Sequence, residues 1–126
     1  IGNFFSADIS FSDDKLYQAQ SEVIKKFADK SPCVIVGRSA DYVLREHTCL
    51  ISIFISASEE ACIKRIIKRC DCKNAEEAIE LIEKKNKLRS NYYNFYTDKE
   101  WGYSASYDLC IDSSKLSSDQ VADIII

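Results

Sequence analysis

Several common sequence features are scarce or missing in this chain of 126 residues. It contains no methionine, one proline, three glycines and a single histidine, His47. The sequence does not identify a Ser-His-Asp or Cys-His catalytic set around this one histidine, which we expect at a helix end or on the surface. No apolar run approaches the roughly 20 residues that span a bilayer, and no basic segment followed by an apolar one opens the chain as in a signal peptide. We therefore expect a cytoplasmic protein without a membrane partner.

The phosphate-binding loop G-x-x-x-x-G-K-[ST] is also absent from the sequence. In proteins that carry it, this loop cradles nucleotide phosphates with backbone amides and a lysine, so its absence bears on any nucleotide chemistry. The lack of methionine and the apolar ending Ile124–Ile126, which has no helix stop signal, lead us to expect a fragment of a longer protein.

Six cysteines are present, and most of them lie within apolar patterns. A reduced thiol serves there as a small hydrophobic side chain, which favours a reducing compartment. A disulfide framework is the alternative, although such frameworks are typical of short secreted chains with poor cores. Cys70 and Cys72 are separated by a shorter spacer than zinc sites use, and no second Cys/His pair follows at zinc spacing. We predict no metal site from protein ligands alone.

Charge is distributed unevenly along the chain. The formal net charge is −3, which disfavours nucleic-acid binding through a global positive field. The segment from Lys64 to Arg89 nevertheless carries a net charge of +4. Two interpretations stay open: the segment binds a compact anion such as a nucleotide phosphate, or it forms solvated helix faces with pairs such as Glu80 and Lys84.

Helical and strand patterns alternate along the sequence. Residues 1–14 carry aromatic side chains without periodicity, so we expect an arm docked by its aromatics. A helix capped by residues 12–14 should end near Lys30, because Pro32 disfavours helical geometry at the preceding residue. The predicted strands are Cys33–Val36, buried on both faces, Cys49–Ile55 and Tyr107–Ile111. The later helices are predicted to begin near Ser39 and at the patterns Ser56-x-x-Glu59, Asn74-x-x-Glu77 and Ser117-x-x-Gln120.

Strands that alternate with helices imply parallel pairing with right-handed crossovers. We therefore predict an α/β fold, and a chain with 46% hydrophobic residues is long enough for one core in a single domain covering residues 1–126.

The turn after the first predicted strand carries the sequence Gly37-Arg38-Ser39-Ala40-Asp41. Ligands of parallel sheets lie beyond the carboxyl ends of the strands. There, a glycine permits close backbone approach and Arg38 is able to bind phosphate through a bidentate fork. The alternative is an ordinary turn glycine followed by a surface arginine.

Two predicted helices carry cations on one face. Arg65 and Arg69 share a face at i,i+4 spacing, and Lys85 and Arg89 repeat the arrangement on the next helix. Two such faces over a cleft would cover a triphosphate and neutralise charge in the transition state, which is worth roughly 10³-fold or more in rate. Such helices would act as a lid over the site.

The aromatic residues after the cationic helix have two interpretations. They either stack a base or pack within the protein, and we predict that they form a hinge that ties the helices to the core. These residues are Tyr92, Tyr93, Phe95, Tyr96 and Trp101.

The motifs occur in a definite order: Gly-Arg-x-x-Asp at residues 37–41, Arg-x-x-Tyr-Tyr at 89–93, Trp-Gly at 101–102, and Tyr-Asp-Leu followed by Asp-Ser-Ser at 107–114. This combination resembles the cytidylate kinase-like family, in the nucleoside monophosphate kinase branch of the P-loop NTPases. The resemblance implies a three-layer α/β/α parallel sheet that is incomplete here, with about three strands and without the first strand and its phosphate loop. It also implies a helical lid-like segment at residues 59–97. An open apolar edge of that sheet would be available to another chain, including a second copy in a homo-oligomer.

The resemblance assigns roles to individual residues. Arg38 would contact the acceptor monophosphate, and Asp41 its base or sugar. The implied catalytic cations are Arg65, Arg69 and Arg89. The remaining implied contacts are Lys85, Asn86 and again Arg89 for the substrate, and Asp112, Ser113 and Ser114 for the adenine cofactor. Asn86 stands where the family usually has Asp, and an amide cannot balance the neighbouring cations as a carboxylate would.

For the parent protein, the resemblance implies phosphoryl transfer from ATP, with Mg²⁺, to CMP, dCMP or a related nucleotide. This chain lacks the phosphate loop, so we expect it to be inactive by itself. The alternatives are a nucleotide- or partner-binding domain that has lost kinase activity, and a structural domain completed by another chain.

Overall fold

A computed structural model describes residues 11–126 of the chain. The elements are, in chain order, α1 (Phe11–Lys30), α2 (Ala40–Val43), β1 (Ile53–Ser56), α3 (Glu59–Lys68), α4 (Ala75–Tyr96), a 3₁₀ turn (Ser104–Ser106), β2 (Leu109–Asp112) and α5 (Ser118–Ile125). Helices therefore alternate with strands, as the α/β prediction requires. None of the helices within these residues combines the length and the hydrophobicity of a membrane-spanning segment.

The two strands pair in parallel, and their register sets the two ends of the sheet. Ile53 lies opposite Leu109, and Ser56 lies opposite Asp112. Just before the strands, the amide of Asp108 donates to the Ser52 carbonyl at 3.0 Å. We call the end at Ser52 and Asp108 the amino edge, and the end beyond Ser56 and Asp112 the carboxyl edge.

The prediction of a buried strand at Cys33–Val36 is wrong. These residues are extended but form no strand, so the sheet within residues 11–126 has two strands instead of about three. Val34 and Val36 are 92% and 89% exposed. Only Ile35, which points to the other side of the extended segment, packs against buried residues. An apolar run is buried only where other elements cover both of its sides, and the described residues cover one.

The sequence also misplaced three element starts, and one of them is that of β2, which begins at Leu109 rather than Tyr107. The predicted strand Cys49–Ile55 begins only at Ile53, because a turn closed by the Leu50 amide and the His47 carbonyl, 3.2 Å apart, precedes it. Helix α3 is capped by Ser58 rather than Ser56, since the Ser58 hydroxyl accepts the Ala61 amide at 3.2 Å. Ser56 instead ends β1.

Two other helix starts are confirmed. The Asn74 side chain accepts the Glu77 amide at 2.9 Å and caps α4. At α5 the hydroxyl of Ser117 accepts the Gln120 amide at 3.2 Å, while the Gln120 side chain accepts the Ser117 amide at 2.9 Å. This reciprocal pair is a capping box, which satisfies two otherwise unpaired amides of the helix.

Helix α1 ends at Lys30, as predicted from Pro32. Residues 11–14 belong to this helix rather than to an arm or a cap, and Asp13 and Asp14 lie in its first turn, where acidic side chains favour the helix dipole. The rest of the predicted arm, residues 1–10, lies outside the described residues.

Helix α1 packs against α2, and α3 packs against α4. The first contact forms a small core of Ile24, Ala40 and Val43. In the second pair, Ile66 of α3 and Ala78 of α4 are buried. One of these helices reaches an end of the short sheet, since the Arg65 side chain of α3 bonds to Ser113 just after β2.

Candidate functional site

The carboxyl edge is held together by Ser113, the residue that follows β2. Its amide and its hydroxyl donate to the Ser56 carbonyl at 2.8 and 2.9 Å. The Arg65 guanidinium on α3 then donates to the Ser113 hydroxyl at 3.0 Å and to its carbonyl at 2.5 Å. Two residues with different predicted roles, Arg65 and Ser113, are therefore in direct contact.

A second set of bonds at this edge runs through Ser114. Its amide and hydroxyl donate to one oxygen of the Asp112 carboxylate at 2.9 and 2.5 Å. The same hydroxyl accepts the Ser58 amide at 2.8 Å, which links β2 to the start of α3. Hydrogen bonds from the Ser114 side chain and amide lower the pKa of Asp112, so its carboxylate is ionised at neutral pH. Asp112, Ser113 and Ser114 thus fix the strand end and present a negative charge there.

The turn after the extended segment has an unusual backbone. Gly37, Arg38 and Ser39 all have positive φ, at 74°, 58° and 53°. The Ser39 side chain is buried, and its hydroxyl has no hydrogen-bond partner within the described part of the chain. Non-glycine residues adopt this left-handed region rarely and at a cost, so the local packing must hold the turn in place.

This turn places Arg38 and Asp41 against the last turns of α4. The Tyr93 hydroxyl donates to the Asp41 carboxylate at 2.8 Å, and the Arg38 guanidinium lies near the Tyr92 phenol, whose pKa is raised by burial and lowered by that positive charge. Burial, together with the hydrogen bond to the Asp41 carboxylate, raises the pKa of Tyr93 well above its ordinary value, because the ionised phenol would lie beside a negative charge.

Farther along α4, Arg89 contacts its own helix and the following loop. Its guanidinium bonds to the Asn86 side chain and lies 5.1 Å from the centre of the Trp101 ring. Lys85 is exposed on the same helix. On α3, Arg69 forms an exposed ion pair with Asp71 at 3.3 Å.

The aromatic residues pack within the protein, which was one of the two predicted interpretations. Tyr17 of α1 stacks on Tyr96 with 4.0 Å between the ring centres. Phe54 of β1 contacts Trp101 at 5.3 Å and Tyr107 at 4.9 Å. These contacts join α4 and its following loop to α1 and to the sheet.

Sequence reasoning missed a cleft of about 270 Å³ at the amino edge. Its lining includes Asp41, Arg45 and His47 from one segment, and Lys99 and Asp108 from another. No sequence motif indicates this site, since the two segments are distant along the chain and form no spaced pattern.

The structure groups the predicted site residues into separate places. Arg65 meets Ser113 at the carboxyl edge, Arg38 and Asp41 meet the tyrosines of α4, and Arg89 meets Asn86 and Trp101. Their joint action on one nucleotide stays a prediction, because each arginine has its own partners in the described structure.

Comparison with known proteins bears on the same motifs. The sequence profile of the cytidylate kinase-like family matches residues 3–115, which covers most of the chain. The chain belongs to the cytidylate kinase-like family. No curated protein matches it.

A solved structure also resembles this cytidylate kinase-like domain. It is the crystal structure of an uncharacterized protein from Eubacterium ventriosum ATCC 27560, with 34% sequence identity and a TM-score of 0.82. The match covers 87% of this chain and 62% of the other. The family domain described here therefore spans less than two thirds of that protein.

The described residues of this cytidylate kinase-like domain do not fit a metal site built from protein ligands. Within residues 11–126, no group of three or more His, Cys, Asp or Glu side chains is arranged so that it could hold a metal ion. Asp112 is the carboxylate at the carboxyl edge, and one of its oxygens already accepts two hydrogen bonds from Ser114. Kinase Mg²⁺ is held largely by substrate phosphates and water, so no reaction step can be assigned to protein-bound metal here.

Proposed function

We propose that this chain is the acceptor- and lid-bearing part of a nucleoside monophosphate kinase. The full-length parent transfers a phosphoryl group from ATP, with Mg²⁺, to CMP or dCMP. The chain by itself does not catalyse the transfer, since it lacks the loop that cradles the β- and γ-phosphates. The family membership over residues 3–115 supports kinase-like function in general.

The observation that carries the proposal is the contact between Arg65 and Ser113 at the carboxyl edge. Ligands of parallel sheets bind beyond this edge. The two bonds hold the guanidinium at the strand end while its remaining N–H groups stay available to a phosphate. Fixing a charge before the reaction is how phosphoryl-transfer enzymes lower the barrier, because positioning and electrostatics supply most of the catalysis. Arg69 and Arg89 are proposed to add charge as the helical segment 59–97 closes over the nucleotide.

For the acceptor nucleotide, the proposal uses the turn at Gly37–Asp41. Arg38 is exposed and lies near the Tyr92 phenol, so it is able to bind the monophosphate. Asp41 is positioned by Tyr93 and would accept a hydrogen bond from the base or sugar. Lys85 and Asn86 would contact the same substrate, and Asp112, Ser113 and Ser114 would lie beside the adenine.

Calorimetry on the full-length parent tests this function. We expect CMP and ATP to bind, and Arg38→Ala to weaken CMP binding by about 1.5–3 kcal/mol, as for a charged hydrogen bond. ATP binding should change little in that variant. Lys26→Ala, on the exposed face of α1, is the matched control and should leave both affinities unchanged. If neither nucleotide produces heat, the protein is not a nucleotide kinase.

An exposed apolar edge favours a second candidate function, binding to another polypeptide. Val34 and Val36 on the extended segment, and Ile51 and Ile55 at β1, are between 50% and 92% exposed. We propose that a strand covers these residues, either from the rest of the parent protein or from a second copy in a homo-oligomer. Sedimentation of this chain, with Val36→Lys as the variant, tests the homo-oligomer: a monomeric wild type rules it out.

A further inference from the structure

The amino-edge cleft lies away from Arg65 and Ser113, and it shares one residue, Asp41, with the turn proposed to bind the acceptor nucleotide. Ser52 precedes β1 and Asp108 precedes β2, so the cleft lies at the opposite end of the strands from Arg65 and Ser113. Its volume of about 270 Å³ is below the roughly 300–1,000 Å³ of pockets for drug-sized ligands. The space corresponds to about nine water molecules at roughly 30 Å³ each, which suits a small metabolite.

Charges of both signs line this cleft without touching. Asp41 and Asp108 carry negative charge, and Arg45 and Lys99 carry positive charge. Among the described residues, neither carboxylate forms an ion pair with either cation. Arg45 forms its ion pair with Glu46, which lies outside the cleft, at 4.0 Å. Because these opposite charges are not paired with each other, a ligand that carries both signs of charge is able to form favourable Coulomb interactions with them.

The two carboxylates are held in the wall by neutral donors. One oxygen of Asp108 accepts the Ser52 amide at 2.8 Å and the Ser52 hydroxyl at 2.9 Å. These bonds lower the pKa of Asp108, so the carboxylate is ionised at neutral pH. Asp41 accepts the Tyr93 hydroxyl at 2.8 Å. Each carboxylate has further capacity to accept hydrogen bonds.

The two cations keep donors to spare. Lys99 donates one of its three N–H bonds, to the Ser106 carbonyl at 3.2 Å. Arg45 donates to the Tyr42 carbonyl at 2.7 Å and has four other N–H groups. The Nδ1 atom of His47 accepts the Cys49 amide at 3.3 Å, which leaves the Nε2 atom as a further donor.

We propose that the amino-edge cleft binds a small amino acid, a zwitterion whose ammonium pairs with Asp108 and Asp41 and whose carboxylate pairs with Lys99 and Arg45. The two acidic and two basic side chains sum to zero charge. A dianion or a simple cation would leave one pair of side chains without a counter-charge, whereas a zwitterion matches both.

Amide chemical-shift titrations of this chain test the proposal. The probes are glycine, β-alanine and γ-aminobutyrate, which differ in the separation of their charges, with acetate, methylammonium and inorganic phosphate as single-sign comparisons. We expect at least one amino acid to give saturable shifts at Ser52, Ser106 and Asp108, about tenfold tighter than acetate or methylammonium. Lys99→Met and Asp108→Asn should each weaken that binding by about tenfold or more, as for a lost charged hydrogen bond.

Lys115→Met, an exposed lysine outside the cleft, is the matched control and should bind like the wild type. If Asp108→Asn unfolds because Ser52 loses its partner, Lys99→Met alone decides. The proposal is overturned if no amino acid saturates, if phosphate binds more tightly than every amino acid, or if Lys99→Met binds as the wild type does. Lys99 and Asp108 are not among the residues proposed to bind the nucleotide, so a failure of these variants to weaken amino-acid binding leaves the kinase proposal standing.

Discussion

Arg65 on α3 and Ser113 after β2 are joined by two hydrogen bonds, of 3.0 and 2.5 Å, although 48 residues separate them in sequence. The Ser113 hydroxyl in turn bonds to the Ser56 carbonyl, so a single serine connects both strands with the helix between them. Arg65, the cation that we propose binds a phosphate at the carboxyl edge, therefore also holds the sheet and α3 together.

Arg65→Ala should destabilise the domain as well as weaken nucleotide binding. We expect the free energy of unfolding to fall by about 1 kcal/mol, less than a buried charged hydrogen bond contributes, because the side chain is exposed to solvent. Urea denaturation measures the change. Lys68→Ala, one turn away and exposed, is the control and should stay within about 0.5 kcal/mol of the wild type. An equal loss in both variants would mean that the Ser113 bonds contribute nothing.

Tyr93→Phe should destabilise the fold because it removes only the hydroxyl group and its hydrogen bond. Tyr93 is 5% exposed, and its hydroxyl bonds to Asp41, which would lose that donor. We expect a loss of about 1–2 kcal/mol in the free energy of unfolding. Tyr103→Phe removes the same atom from a side chain that is 56% exposed and should change stability little. Thermal denaturation of the two variants in parallel provides the comparison, and equal melting temperatures would contradict it.

Alkaline pH should weaken the fold through the tyrosines of α4. Burial, followed by the neighbouring Asp14, raises the pKa of Tyr96 to about 12 from an ordinary value of 10.0. Between those two values the folded chain keeps a proton that the unfolded chain has released, so stability falls as pH rises from about 10 to 12. Tyrosinate absorbance during a pH titration should show that part of the tyrosine ionises above pH 10, and Tyr96→Phe should reduce that part. A titration in which all tyrosines ionise near 10 would exclude this contribution.

Two glycines with positive φ make a matched pair of tests. Gly37 has a φ of 74° and open space around an added Cβ, so Gly37→Ala should cost only the backbone strain, about 1–2 kcal/mol. Gly102 has a φ of 78°, and an added Cβ would lie 3.4 Å from the Phe54 ring. Gly102→Ala should therefore cost at least as much as Gly37→Ala in urea denaturation. A smaller loss at Gly102 would show that the loop relaxes away from Phe54.

Local signals in the sequence located most helices of this domain. The end of α1 before Pro32, the Asn74 cap of α4 and the capping box of Ser117 with Gln120 are all short-range patterns, because a few adjacent residues supply both donor and acceptor. The motif order from residue 37 to residue 114 likewise pointed to the cytidylate kinase-like family, which the profile match confirms.

Burial and side-chain partners depended on residues far apart in the chain. The apolar run Cys33–Val36 indicated a buried strand, yet Val34 and Val36 are exposed, since burial depends on which other elements cover a segment. Arg65 is a helix cation in the sequence, and only the approach of β2 gives it Ser113 as a partner.

The amino-acid sequence alone determined most of the helices, the caps of α4 and α5, and the family, because those features are encoded by neighbouring residues. The tertiary structure decided which apolar residues are covered, which partner each arginine has, and that Lys99 and Asp108 share a cleft with Arg45. These outcomes depend on contacts between segments about 50 residues apart, and short-range spacing carries no information about such contacts.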